Sequence, residues 1–326
     1  MGDPAGCGPQ ITGRAWKTLA SSGGTPFFVL GDPRLYEGSI PVERIATVIE
    51  VADVFQKALP VLPLEIEDLD ALNVGHPSAI GATATIDSIQ RATELCLTGA
   101  ASGMVTNPIS KAVLYQAGFS HPGHTEFIAD LCSANSNHSI MPVMMLVGGG
   151  LRVSLATIHV PLMQVVKHLT PGSLSRIAQI TDTALRRDLA IRNPRIAFTG
   201  LNPHAGEGGS IGSEEQDLIN PIAAHLRADG IHISDARPAD TVFHEALSGD
   251  YDAVIAMTHD QGLIPVKTLD MWGGVNTTLG LPIIRTSPDH GTAYDAAAKG
   301  KARPNSLIAA IELAQTMIAN RATFDV

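Results

Sequence analysis

The sequence predicts an α/β protein of two domains with mixed sheets around a central cleft. Three observations carry that expectation. Short apolar runs alternate with longer stretches of helical periodicity almost from end to end. At 326 residues the chain exceeds what one hydrophobic core ordinarily spans. No Pro/Ser-rich tether or internal repeat interrupts the alternation, so crossing elements are expected to join the domains, with the cleft between them as the site.

The strand candidates are, in order, residues 27–30, 45–51, 103–106, 143–147, 152–158, 195–199, 253–257 and 283–285, each an apolar run between turn-formers. Val147-Gly-Gly-Gly-Leu151 separates two of them and reads as a hairpin turn, which makes one pair antiparallel. Helical spacing begins at residues 10–20, behind a turn-rich N-terminal loop. Ile86, Ile89, Thr93 and Cys96 line a second helix that ends at Gly99. Leu174, Ile177, Ile180, Leu185 and Leu189 stripe a third, with Thr170 as N-cap and Pro171 at its first position. Ser213-x-x-Gln216 forms a capping box ahead of Leu218, Ile219, Ile222 and Leu226, a helix that Pro221 is expected to kink. The last helix carries Leu307, Ile308, Ile311, Ala314 and Ile318. These stripes are core.

Composition narrows the function classes. Hydrophobic residues make up 44% and charged residues 17%, an ordinary globular balance with no apolar run of membrane-spanning length. A net charge of −10 argues against nucleic acid or an anionic membrane as partner, while leaving room for an anionic small molecule met by local cations. Cys7, Cys96 and Cys132 are odd in number and widely spaced, neither a disulfide framework nor a zinc knuckle, and fit a reducing cytoplasm.

The chemistry concentrates at the ends of strand-like runs. His159, His204 and His259 each lie one to four residues beyond such a run, at 152–158, 195–200 and 252–257. Open α/β sheets build their sites beyond the carboxyl ends of strands, and three imidazoles there would suit a divalent metal in an open site. Asp260, beside His259, reads either as the group that orients its imidazole or as a base. The loop Gly2-Asp-Pro-Ala-Gly-Cys-Gly-Pro9 is neither a dinucleotide fingerprint nor a Walker loop. It is either a tight helix entry or a backbone that passes close to a ligand. His124 and Thr125 in Pro122-Gly-His-Thr-Glu-Phe127 either bind an anion at a helix start or supply only a cap. Lys267, Asn276 and Arg285 stand nine residues apart, and Arg285 follows Leu281-Pro-Ile-Ile284 at what reads as a strand's carboxyl end. A buried cation there would need an anion such as a phosphate or carboxylate. Near the C-terminus Asp289-His-Gly-Thr-Ala-Tyr-Asp295 is a loop leading into a helix, with Asp295 at its start.

With these motifs in order, the chain resembles the 4-hydroxythreonine-4-phosphate dehydrogenases of pyridoxal phosphate biosynthesis over nearly its whole length. Gly2-Asp-Pro-Ala-Gly6, Gly123-His-Thr-Glu-Phe127, Leu155-Ala-Thr-Ile-His159, Gly200-Leu-Asn-Pro-His-Ala-Gly-Glu-Gly-Gly209, Pro238-Ala-Asp-Thr241, His259-Asp-Gln-Gly262 and Arg285-Thr-Ser287 carry the resemblance. It implies a fold similar to isocitrate and isopropylmalate dehydrogenases, working as a homodimer. The domains are then expected at 1–128 with 286–326 and at 129–285, the second carrying the metal ligands and the dimer interface. The resemblance assigns the metal to His159, His204 and His259, drawn from both subunits, with zinc, magnesium or cobalt as candidates. It assigns substrate binding to His124, Thr125, Lys267, Asn276 and Arg285. NAD or NADP would lie on His290, Gly291, Thr292, Ala293 and Asp295, a loop that looks like the superfamily's adenosine-binding loop.

The implied reaction is oxidation of 4-phosphooxy-L-threonine to 2-amino-3-oxo-4-phosphooxybutanoate, followed by loss of CO₂ to 3-amino-2-oxopropyl phosphate. Lys111 and Asp260 are both candidates for the base. The alternatives are a paralogous dehydrogenase of phosphorylated threonate or erythronate, an enzyme that oxidises cyclic diols, and a phosphate acyltransferase-like enzyme of related shape. Two departures from the family pattern stand out. The short strand that usually precedes Gly2-Asp-Pro-Ala-Gly6 is missing, so either the first sheet lacks a strand or the start is misassigned. Cys7 replaces an aliphatic residue and is expected to be buried as a small hydrophobe.

Overall fold

The structure, a computed structural model, describes residues 1–134 and 139–324. Among them ten strands occur: β1 Val29–Gly31, β2 Val42–Arg44, β3 Leu59–Pro63, β4 Met104–Val105, β5 Val143–Gly148, β6 Leu151–Leu155, β7 Ile196–Phe198, β8 Ala253–Ala256, β9 Val275–Leu279 and β10 Arg285–Pro288. Helices alternate with them, as an α/β chain requires. No described helix is long and apolar enough to cross a membrane.

The chain forms two compact units, Met1–Pro142 with Leu281–Gln315 and Val143–Gly280 with Thr316–Val326. These divisions replace the expected ones after residues 128 and 285, for a packing reason. The helix His124–Ala134 buries Phe127, Ile128 and Cys132 in one cluster with Ile89, Met104, Leu281 and Ile283, so it stays whole within the first unit. Arg285 pairs with Met104 and belongs there too.

In the first unit β1, β3 and β2 form a parallel sheet in that order, and β4 runs parallel to β10. The helix Gly8–Ser21, entered through Pro9 in its first turn, packs Ile11, Trp16 and Leu19 against Phe55, Leu59 and Leu307. Trp16 donates its indole N–H to the Phe55 carbonyl at 2.9 Å, which satisfies the polar end of a buried ring. Cys7 is 1% exposed and burial pushes its thiol up to about 11, so it packs as the small hydrophobe expected.

The strand expected at 45–51 does not form. Thr47 donates its backbone N–H to Glu50 at 2.8 Å in a capping box, which starts the helical turns Val48–Glu50 and Val51–Val54. The strand in this region is β2, whose Glu43 and Arg44 are exposed and whose contribution is backbone pairing to β3. Pro60 and Pro63 conceal β3 from a sequence reading.

The second unit holds a mixed sheet in the order β9-β5-β6-β8-β7. β5 is antiparallel to both β9 and β6, while β6, β8 and β7 are mutually parallel. The β5–β6 hairpin turns through Gly149 and Gly150 at φ +59° and +86°, as the glycine run predicts. The helix Pro171–Arg187 starts from the Thr170 cap and buries Leu174, Ile177, Ile180 and Leu185. A π-turn, Glu215–Ile219, absorbs an extra residue just before Pro221, which falls in the first turn of the segment Asn220–Ala228.

Asp188 ties the end of the C-terminal helix to this unit. Its carboxylate is 1% exposed and accepts N–H groups from Arg187 at 2.8 and 3.0 Å and from Arg321 at the same distances. Burial alone would raise its pKa, but the bonds from Arg321 and Arg187 outweigh that and hold it below the usual aspartate range. A depressed carboxylate stabilises the fold above its unfolded pKa of ~3.9 and loses that contribution as pH falls through the folded value. Asp188→Asn should therefore lower unfolding stability at neutral pH by roughly 3 kcal/mol, because it removes the buried anion that both guanidinium groups contact. Urea melts should show the gap to the wild type closing as pH falls below ~4; an equal gap at every pH would contradict this account.

Candidate functional site

Parallel pairing sets up the histidine cluster. Leu155 of β6 stands opposite Ala256 of β8, and Phe198 of β7 opposite Ile255, so the three strands release their following loops at one edge of the sheet. His159 lies four residues beyond β6, His204 lies in the loop after β7, and His259 opens the helix His259–Leu269 after β8. The His159 and His259 rings come to 5.7 Å between centroids, tilted by 41°. Asp260 holds Nδ1 of His259 at 2.8 Å, which leaves Nε2 as the free ligand atom.

His204 does not join them within one chain. Among the described residues no group of three His, Cys, Asp or Glu side chains could hold a metal ion. Two approaching imidazoles, one with a nitrogen already occupied, have the right donor chemistry for a divalent cation but supply fewer ligands than such ions take. Within one chain the donor set is partial.

Backbone strain marks the same segments. Among the described residues, the non-glycine ones with positive φ are Asp68, His159, Ala190, His204, Ala205, Glu207 and Ala293. All but Asp68 and Ala190 fall in segments that the sequence reading singled out. Each such residue costs roughly 1 kcal/mol or more, which a fold sustains where a side chain must be aimed.

In the first unit the cations gather around Arg285. It is the first residue of β10, so the expected placement at a strand's carboxyl end is wrong. Leu281, Ile283 and Ile284 before it are buried without being strand, and β10 is buried along its whole length with polar residues such as Thr286, whose hydroxyl donates to the Ala310 carbonyl. Arg285 is 3% exposed and donates from Nε and Nη2 to the Thr106 hydroxyl at 3.2 and 2.8 Å. Burial pushes its pKa down to about 10, with Glu126 pulling the other way. His124 is the first residue of its helix and the buried Thr125 lies within the first turn, so Thr125 is not an N-cap. Dense surroundings push the partly exposed His124 ring well below the usual histidine range, and Arg285 and Lys111 act in the same direction. Lys111, exposed at the head of the helix Lys111–Gln116, flanks Gly123 together with Glu126: a methyl group on Gly123 would lie 3.3 Å from Lys111 Cε and 3.2 Å from Glu126 Oε2. Thr106 and Glu126 were not among the expected site residues. The motifs around them held the signal, but only the fold shows what their side chains face.

Lys267 and Asn276 belong to the second unit, Lys267 in the His259–Leu269 helix and Asn276 in β9 opposite Leu146. The predicted cofactor loop is in the first. His290, Gly291, Ala293 and Asp295 are exposed there, and Asp295 lies in the first turn of the helix Tyr294–Ala298. The glycine-rich N-terminal loop packs against it: the Cys7 N–H donates to the Thr292 carbonyl at 2.8 Å and Tyr294 donates its hydroxyl to Asp3. A side chain on Gly6 would meet the Thr292 carbonyl at 3.0 Å, which accounts for the glycine. An exposed shelf with a carboxylate for ribose hydroxyls suits a dinucleotide's adenosine half.

Comparison with known proteins agrees in one direction. Residues 24–314 match the family described as Pyridoxal phosphate biosynthetic protein PdxA. The chain is 50% identical to the 4-hydroxythreonine-4-phosphate dehydrogenase of Caulobacter vibrioides, with 98% of this chain and 96% of that protein aligned. Identity to the enzyme of the same name from Maricaulis maris is 48%, over 96% of this chain and 95% of the relative. Among solved structures, the 4-hydroxythreonine-4-phosphate dehydrogenase of Klebsiella pneumoniae superposes with a TM-score of 0.84 at 36% identity, covering 98% of each chain.

The His124 environment has a direct readout. Its ring should stay neutral from about pH 8 down to about 6, seen as constant imidazole ¹⁵N shifts assigned with a His124→Gln variant. A titration midpoint near ~6.5 would contradict the burial argument.

Proposed function

The chain belongs to the PdxA family of pyridoxal phosphate biosynthetic proteins, and from that footing we propose that it oxidises 4-phosphooxy-L-threonine with NAD or NADP and a divalent metal. The product would be 2-amino-3-oxo-4-phosphooxybutanoate, a β-keto acid that loses CO₂ to give 3-amino-2-oxopropyl phosphate. The observation that carries the reading is the approach of His159 and His259 at the shared strand edge, with Asp260 orienting one of them.

His159, His204 and His259 would hold the cation, zinc, cobalt or magnesium, which when bound would polarise the substrate hydroxyl and lower its pKa. The shelf at 290–295 would hold the dinucleotide that takes up the hydride. Arg285 would recognise the phosphate as a buried, pre-set guanidinium, and Lys267 and Asn276 keep the substrate-binding role that the family resemblance implies. A neutral His124 can donate one hydrogen bond and accept another, and Thr125 offers a hydroxyl beside it. Asp260 is engaged with His259, so we assign the proton of the substrate hydroxyl to Lys111, which shares its surroundings with His124 and Arg285.

A second copy of the chain would complete the histidine set. Leu162 and Met163, just after His159, are 75% and 89% exposed, and Met271 and Trp272, just after the His259 helix, are 61% and 53% exposed. Apolar surface of this kind beside the ligands supports a homodimer in which His204 serves the partner's site.

A panel of phosphorylated hydroxy acids with NAD or NADP, followed by nicotinamide absorbance with and without chelator, tests the proposal. Oxidation of 4-phosphooxy-L-threonine that stops on metal removal and returns with added metal is expected. Undiminished turnover in a metal-free preparation, or preference for phosphorylated threonate, would refute it. His204→Ala should lose metal and turnover while keeping its melting temperature. Arg285→Lys should raise the apparent KM for the phosphorylated substrate about tenfold or more, with little change for the dinucleotide.

A further inference from the structure

The loop that carries His204 winds the wrong way for L residues. His204, Ala205, Gly206, Glu207 and Gly208 take φ values of +51°, +51°, +81°, +44° and +65° in succession. Only the glycines adopt such values freely, so something outside the turn must hold it.

Glu215 stands at its centre. The carboxylate is 1% exposed and accepts N–H groups from Leu201 at 2.8 Å and Asn202 at 2.7 Å on one oxygen, and the Asn202 side-chain amide at 3.0 Å on the other. Three donors converge on it, which an ionised carboxylate, an acceptor at both oxygens, satisfies and an amide cannot. The turn closes around this post: a methyl group on Gly206 would come 2.6 Å from Glu215 Oε2 and 2.8 Å from the Gly212 carbonyl. Gln261 ties the base of the same loop to the His259 helix, donating to the Gly200 carbonyl at 3.0 Å and accepting from Met257 and Thr258 N–H groups at 3.1 and 3.2 Å.

We propose that Glu215 is a positioning residue for metal binding: it anchors the left-handed turn that presents His204 to the cation. This rests on the reading of His204 as a metal ligand. Glu215 touches neither metal nor substrate. It acts by leaving the imidazole one backbone course, so that a ligand supplied from a loop is as well placed as one supplied from a helix.

The test is Zn²⁺ affinity of the full-length protein, measured by competition with a chromophoric chelator, alongside apo melting temperatures. Glu215→Gln keeps the shape but turns a donor toward the Asn202 amide, while Gly206→Ala keeps the carboxylate and crowds the turn off it. Both should weaken Zn²⁺ binding on the order of 10-fold to 100-fold. Asp188→Asn, which loosens the same unit elsewhere, should bind Zn²⁺ like the wild type. Should Glu215→Gln fail to fold, Gly206→Ala decides alone. Wild-type affinity in the folded variants, with His204→Ala devoid of Zn²⁺, overturns the positioning role and leaves the ligand assignment standing. Wild-type affinity in His204→Ala overturns the ligand assignment itself.

Discussion

The parallel pairing of β6, β8 and β7 is the constraint on which the rest of the candidate site depends. Parallel strands all point their carboxyl ends the same way, so any residue type placed just past them is collected at one edge regardless of its distance in sequence. His159 and His259 are brought together by that rule, about a hundred residues apart in the chain. The hairpin from β5 matters for the same reason. By turning at the opposite edge, through Gly149 and Gly150, it sends β6 back in the direction shared by β8 and β7.

Two kinds of polar group serve the site differently. Surface-facing ones, such as Asp260, orient a neighbour and stay wet. Buried ones, Glu215 and Arg285, are surrounded by donors or acceptors that suit their charge. A buried charge leaves little freedom to the chain around it, because any movement that breaks its bonds exposes it to an apolar interior. The strained turn at 204–208 and the two-bond contact from Arg285 to Thr106 are local expressions of that demand.

Much of this was legible in the sequence. The glycine hairpin, the Thr170 cap and the histidines past strand ends all follow from local rules that tertiary packing did not override. What escaped had physical reasons. Residues 45–51 are rich in β-branched side chains, yet Ile49 is 85% exposed and the Thr47 capping box turns the chain into a helix. β3 carries prolines, and β10 is buried on both faces with threonine and serine, so neither shows the alternation of a half-buried strand. Glu215 lies unmarked between Ser213 and Gln216 in the sequence; only the left-handed turn around it gives it a purpose, and no spacing rule announces such a turn. The incomplete metal set is a different case. Among the described residues His204 does not form one ligand group with the other two, a separation that spacing along the chain does not reveal.

Arg285 carries a last implication. A guanidinium held beneath the surface is out of reach of the mobile ions that surround an exposed group such as Lys111. An anion that docked there would meet a field that dissolved electrolyte barely weakens, in brine as in dilute buffer.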